Sequence, residues 1–239
     1  MNYLEAIVKR QSIRKYEKQP IHRANLSFLE ERIERINEAS KLHLQLIKNE
    51  NNVFSNVFSA FKNVEYYIAL VGDKNDPNLY EKLGYFGEVL VLEATKLELG
   101  SCFVCNSFNK KKCDLELDED EILVGIITIG NYDDSKVKAK DTRGKSIEKL
   151  ALFSSDAPDY FKEGVRYVYY APSAYNKKPY VFSFNNGEVT VELKNDKIYS
   201  LIDLGVAKLH FELGALGKFA LGNKAIFKKN IEDCKKKKK

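Results

Sequence analysis

The chain has 239 residues, of which 44% are hydrophobic and 12% aromatic; that is far too much apolar surface to leave in water, so fibrous and disordered readings are excluded. Its 39 basic and 34 acidic residues give a net charge of +5, and Lys235 to Lys239 account for that excess, so the body of the chain is close to neutral and a nucleic-acid-binding face is not expected. No apolar stretch reaches the roughly 18 residues that span a bilayer, and Met1 to Gln11 lacks a signal-peptide pattern, so a cytoplasmic protein without membrane contact is expected.

Leu4, Ile7 and Val8 fall at helical spacing and predict a short amphipathic helix from Tyr3 to about Arg10. Leu26, Leu29, Ile33 and Ile36, with charged residues between them, predict a second helix from Asn25. Leu42, Leu44 and Leu46 alternate with polar residues and read as a strand, as does Val64 to Gly72, dense in β-branched and aromatic residues. A long helix opens at Asn75 to Pro77 and is expected to close on Gly100 as a left-handed cap. The continuous apolar run Ile122 to Gly130 predicts a fully buried strand. The polar stretch Asn131 to Lys145 then reads as a connection between two halves. Phe161 to Tyr170 predicts a helix ended by Pro172. Tyr180, Phe182 and Phe184, a turn at Asn186 and Gly187, and Val189, Val191 and Leu193 form a hairpin pattern. Ile198 to about Gly217 is the last long helix. Overlaying the two long helices with Glu93 on Glu212 also matches Leu90 with Leu209 and Leu97 with Leu216, as duplication of one α/β unit would.

Three constellations carry chemistry. Arg10, Ser12 and Arg14 suit a phosphate dianion if the chain leaves the helix near Arg10; otherwise they are a solvated basic face. Ala171 to Asn176, followed by Pro179, is a proline-stiffened loop in which Ser173 and Asn176 offer hydrogen-bonding groups to a polar ring; a plain helix stop and turn is the alternative. Cys102 and Cys105 have metal-ligand spacing, but Cys113, Cys234, His22, His43 and His210 do not complete a zinc set. No metal is expected, and the thiols read as reduced, buried and inert in a loop. Hydrolase and kinase signatures are missing from the sequence.

Together these segments resemble the nitroreductase family of FMN-dependent NAD(P)H oxidoreductases, and most closely its subfamily with two fused copies of the fold. The family's Arg-x-Ser-x-Arg pattern is matched by Arg10, Ser12 and Arg14, and its Ala-Pro-Ser-Ala-x-Asn-x-Gln-Pro-Trp motif by Ala171, Pro172, Ser173, Ala174, Asn176 and Pro179, with Lys178 for the Gln and Tyr180 for the Trp. The fused subfamily's Leu-Gly-Thr-Cys-Trp-x-Gly-Gly-Thr-Phe-Asn segment is similar to Leu99 through Asn109, with Cys105 and Asn106 replacing the two glycines. Lys140, Arg143 and Lys145 resemble a second phosphate-binding patch.

The resemblance implies an α+β nitroreductase-like fold in two pseudo-symmetric halves, with a mostly antiparallel sheet flanked by helices. The halves are expected at 1–140 and 141–234, before a lysine tail at 235–239. It also implies one FMN between the halves of a monomeric pseudo-dimer, because the arginine pattern lies only in the first half and the Ala-Pro-Ser loop only in the second. Arg10, Ser12, Arg143 and Lys145 would hold the phosphate; Val104, Cys105, Asn106, Pro172, Ser173 and Asn176 would contact the flavin. Arg14 would serve catalysis at the ring edge that gathers negative charge on reduction. The implied activity passes hydride from NADH or NADPH through FMN to a nitroaromatic, quinone or similar small acceptor; a flavin-binding protein without turnover is the alternative.

Overall fold

The computed structural model describes residues 1–55, 60–137, 146–153 and 156–230. The chain forms two compact units, Met1–Leu79 with Phe86–Lys140, and Tyr80–Tyr85 with Asp141–Lys239. Among the described residues no helix is long and apolar enough to cross a membrane.

In the first unit, strands β1 (Gln45–Lys48), β2 (Tyr66–Asp73), β3 (Gly100–Val104) and β4 (Glu121–Gly130) form an antiparallel sheet in the order β1-β2-β4-β3. Both inner strands are apolar runs, as a strand covered on two faces requires. Helices α1 (Tyr3–Lys9) and α2 (Arg23–Ser40), with the Phe86–Lys96 part of α3 (Leu79–Lys96), belong to this unit. Helix α1 starts in a reciprocal cap: Asn2 Oδ1 accepts from the Glu5 N–H and the Glu5 carboxylate from the Asn2 N–H, both at 2.9 Å. Ile13, Tyr16, Phe61, Tyr67, Val71, Cys102 and Ile126 are among the residues of one buried cluster here.

The second unit has a three-stranded sheet of β5 (Ala151–Leu152), β6 (Tyr180–Asn185) and β7 (Glu188–Leu193). Strand β5 runs parallel to β6, and β6 antiparallel to β7. Strands β8 (Gly217–Phe219) and β9 (Phe227–Lys229) form a small antiparallel pair, and α4 (Asp159–Val168) and α5 (Ile198–Ala215) are its long helices. Its core is aromatic: Phe182 and Phe211 stack with ring centroids 4.9 Å apart, and Phe161, Phe219 and Phe227 pack edgewise or tilted around Phe211 and one another. Residues Tyr80–Tyr85 of α3 meet α5 backbone to backbone. A Cβ on Gly84 would lie 2.0 Å from the Ile202 carbonyl oxygen, and one on Gly205 would lie 2.0 Å from that of Glu81. Glycine at both positions is therefore a packing requirement.

Helices α3 and α5 each have 18 residues, and their first residues, Leu79 and Ile198, are 119 positions apart, the same offset that places Glu93 on Glu212. Each of these glutamates is buried and answers to a tyrosine and a lysine. Glu93 pairs with Arg32 (2.9 Å), Lys96 (2.8 Å) and the Tyr3 hydroxyl. Glu212 accepts from Tyr85 Oη (2.6 Å), Lys218 Nζ (2.9 Å) and the Phe219 N–H (2.7 Å). Burial alone would raise the Glu93 carboxyl, but the Lys96 and Tyr3 hydrogen bonds with the Lys96 and Arg32 charges hold it below its ordinary range. The Tyr3 phenol is pushed up to about 12 by burial and by Glu93.

Four expectations are corrected. The strand expected at Leu42 to Leu46 is continuous only from Gln45: Leu42 bridges Gly72 and the His43 N–H donates to the Val71 carbonyl at 3.0 Å in the same register, but the Asn37 amide takes both backbone groups of Leu44 with two 2.9 Å hydrogen bonds. Helix α3 begins at Leu79, after the Asn75 to Pro77 segment, and stops at Lys96. The left-handed residue after it is Glu98 (φ 62°), not Gly100, which opens β3 and where a Cβ would lie a tight 3.0 Å from the Ile13 side chain. Cys102 lies in edge strand β3, not a loop. Helix α4 starts at Asp159 and ends at Val168.

Candidate functional site

The helix-to-extended switch that would gather the arginine pattern is present. Arg10 caps α1 with φ −54° and ψ 130°, so the following residues run extended and alternate in direction. The Ile13 N–H donates to the Ser101 carbonyl at 2.9 Å, Ser12 bridges Ser101 in parallel, and the Lys62 N–H donates to the Arg14 carbonyl at 2.9 Å. Ile13 and Tyr16 are buried, while Ser12 and Arg14 are exposed. Tyr16 Oη donates to the Ile13 carbonyl (2.8 Å) and lies 2.6 Å from Thr128 Oγ1, which pins the segment to β4.

All three residues of the pattern act electrostatically on one group. Burial pushes the Cys102 thiol up, and the Arg14 and Arg10 charges and the Ser12 hydroxyl act against it. Burial likewise pushes the neighbouring Tyr16 phenol well above its ordinary range. The Arg10 guanidinium is largely buried, with Nε 3.9 Å from Oε1 of the wholly buried Glu88, and Arg10 Nε has no hydrogen-bond partner. An N–H donor in that state suits an anionic oxygen acceptor such as a phosphate, so these residues fit the group that the sequence resemblance implies.

Val104 is the buried last residue of β3, opposite Ile126; Cys105 is half-buried and Asn106 exposed. Neither Cys105 nor Asn106 has a positive φ, so this path after β3 does not need glycine's conformational freedom. The close approach instead falls on Gly125, where a Cβ would lie 3.0 Å from the Val104 carbonyl oxygen and 3.3 Å from Cys105 Sγ. Lys140, Arg143, Lys145 and Cys234 lie outside the described residues. Among the described residues no three His, Cys, Asp or Glu side chains gather as a metal-ligand set.

In the second unit, Pro172, Ser173 and Asn176 are half-buried and Tyr175 stands 84% exposed. Tyr175, Asn176 and Lys178 all have left-handed backbones (φ 51°, 57° and 43°), a conformation that asparagine tolerates and that is costly for tyrosine and lysine. Ser173 Oγ accepts the Lys178 N–H at 3.0 Å, and Lys178, fully buried, donates from Nζ to the Ala171 carbonyl. Asp203 on α5 accepts the Ala174 N–H on both carboxylate oxygens, at 3.0 and 3.1 Å. Sequence reasoning missed Asp203, Glu88 and the Lys208–Glu81 pair. The signal available was a set of ionisable residues, Asp203, Lys208, His210 and Glu212, inside a helix that is otherwise apolar all round.

The family described as "Putative TM nitroreductase" matches residues 2–215. No curated protein matches the sequence. Among solved structures, the chain is similar to a putative nitroreductase from Thermotoga maritima MSB8 at 20% identity, with 95% of this chain and 92% of that one covered and a TM-score of 0.66. It is also similar to a nitroreductase family protein from Clostridium difficile 630 at 22% identity, covering 66% of this chain and all of that one, with a TM-score of 0.50. With an α+β fold of mostly antiparallel sheets and helices, and a match over most of its length, the chain belongs to the nitroreductase family.

Proposed function

We propose that this protein is an FMN-dependent oxidoreductase of the nitroreductase type, taking hydride from NADH or NADPH and reducing a nitroaromatic, quinone or similar small acceptor. The observation that carries the reading is the extended run that leaves α1 at Arg10 and exposes Ser12 and Arg14 beside β3, with a buried Arg10 Nε–H that has no hydrogen-bond partner. Arg10 and Ser12 hold the phosphate, with Arg143 and Lys145 as further candidates. Arg14, exposed on the same segment, offers its guanidinium to the negative charge of the reduced ring. Val104, Cys105 and Asn106 at the end of β3, and Pro172, Ser173 and Asn176 in the strained loop, are the flavin contacts of this reading. Ser173 already accepts the Lys178 N–H, so its own hydroxyl hydrogen is the group it has to give. FMN, when bound, supplies the hydride relay between donor and acceptor.

The test is oxidation of NADH and of NADPH, each with a quinone and with a nitroaromatic, by the purified chain with and without added FMN. Turnover that requires FMN is the expected result. Bound FMN without turnover for any of these pairs would reduce the protein to a flavin holder, and failure to retain FMN would remove the reading altogether.

A further inference from the structure

Asp203 sits inside the apolar helix α5 and is only 6% exposed. Burying a carboxylate is costly unless it is paired and hydrogen-bonded, and both of its oxygens are spent on a single backbone N–H, that of Ala174. Close after that N–H, Tyr175, Asn176 and Lys178 have positive φ, a conformation that costs tyrosine and lysine free energy and needs a restraint. The loop fastens its own ends through Ser173, Lys178 and Ala171, and Asp203 ties it to the rigid helix. Burial pushes the Asp203 carboxyl up to about 7, against the Ala174 hydrogen bond and the charge of the buried Lys178.

We propose that Asp203 is the positioning residue of the 171–178 loop, holding the Ala174 N–H so that Ser173 and Asn176 are presented for flavin contact. The inference rests on the reading of Ser173 and Asn176 as flavin contacts. Asp203 itself touches no cofactor in this account and acts through the loop backbone.

The experiment measures two quantities in the full chain: hydrogen exchange at the Ala174 amide without FMN, and FMN affinity by fluorescence titration. In Asp203→Ala, Ala174 exchange is expected to quicken and FMN affinity to fall, each by about tenfold or more, as loss of a charge-assisted hydrogen bond predicts. Asp203→Asn, which keeps a carbonyl acceptor for the N–H, is expected to rescue both to within a few-fold of the parent. A merely structural loss would not show that rescue. Should the alanine variant fail to fold, Asp203→Ser, whose hydroxyl is too short to span the contact, gives the same comparison. Unchanged Ala174 exchange without the carboxylate overturns the proposal whatever happens to FMN. Faster exchange with unchanged FMN affinity upholds Asp203's hold on the loop and removes the loop from the flavin site.

Discussion

Replacing Arg14 with alanine is expected to weaken FMN binding about 10- to 150-fold, the equivalent of roughly 1.5 to 3 kcal/mol for a charge-assisted hydrogen bond, and to slow reduction by NAD(P)H. The backbone of Arg14 is engaged, through its carbonyl to the Lys62 N–H, but its side chain is exposed. The substitution therefore removes a cation without opening a cavity, and the thermal midpoint should hold. Arg10 differs, because its guanidinium is largely buried beside Glu88. Arg10→Ala should lower both stability and FMN affinity, since a buried carboxylate loses its counter-charge. A titration in which Arg14→Ala binds FMN as tightly as the parent and is reduced as fast would take Arg14 out of the site.

The largest stability effect is expected at Lys208. Its ammonium lies 2.5 Å from Glu81 Oε1, with both side chains almost wholly buried, and its other two hydrogens go to the Ala220 and Gly222 carbonyls at 2.9 and 2.8 Å. Glu81 completes the arrangement by accepting the Gly222 N–H at 2.8 Å. Every donor of the lysine is spent, although burial pulls its pKa below the ordinary value against the Glu81 attraction. Lys208→Met leaves Glu81 charged, buried and unpaired, which costs about 3 to 5 kcal/mol. Adding Glu81→Leu removes the orphaned charge and should recover most of the loss, because replacing both members of a buried pair is far less costly than removing one. Chemical denaturation of the two single variants and the double variant checks this; additive losses would show that the pair is not coupled.

The legible parts of the fold are those whose signals are local. The β6–β7 hairpin follows from alternation and from Asn186 and Gly187, whose φ values of 50° and 82° are the left-handed pair such a two-residue turn requires. The β4 run is apolar enough to be an inner strand wherever it pairs. The C-terminal end of α3 is not legible, because glycine is the usual left-handed residue, whereas here Glu98 takes that conformation and Gly100 answers to Ile13, 87 positions away in the chain. Strand β3 escaped notice because it is a short edge strand paired with β4, and Ser101, Cys102 and Phe103 carry no strong alternation.

The arginine pattern was legible as chemistry, but its extended path depends on the ψ of one residue, Arg10. Asp203 was the least accessible. Its partner is a backbone N–H 29 positions earlier, and a backbone group leaves no mark in side-chain composition. What remained visible was only the incongruity of an acid in an apolar helix, which points to a buried partner without naming it.

The measurement that bears most directly on the account is the ratio of FMN to chain in the purified, FMN-saturated protein, from flavin released on denaturation set against protein concentration. The arginine pattern occurs once, before Lys15, and the Ala-Pro-Ser loop once, after Tyr170, and an anion without such donors binds poorly. One FMN per chain is therefore the predicted result. No bound FMN would contradict the proposed cofactor, and two per chain would show that a second set of residues, outside both motifs, builds a flavin site of its own.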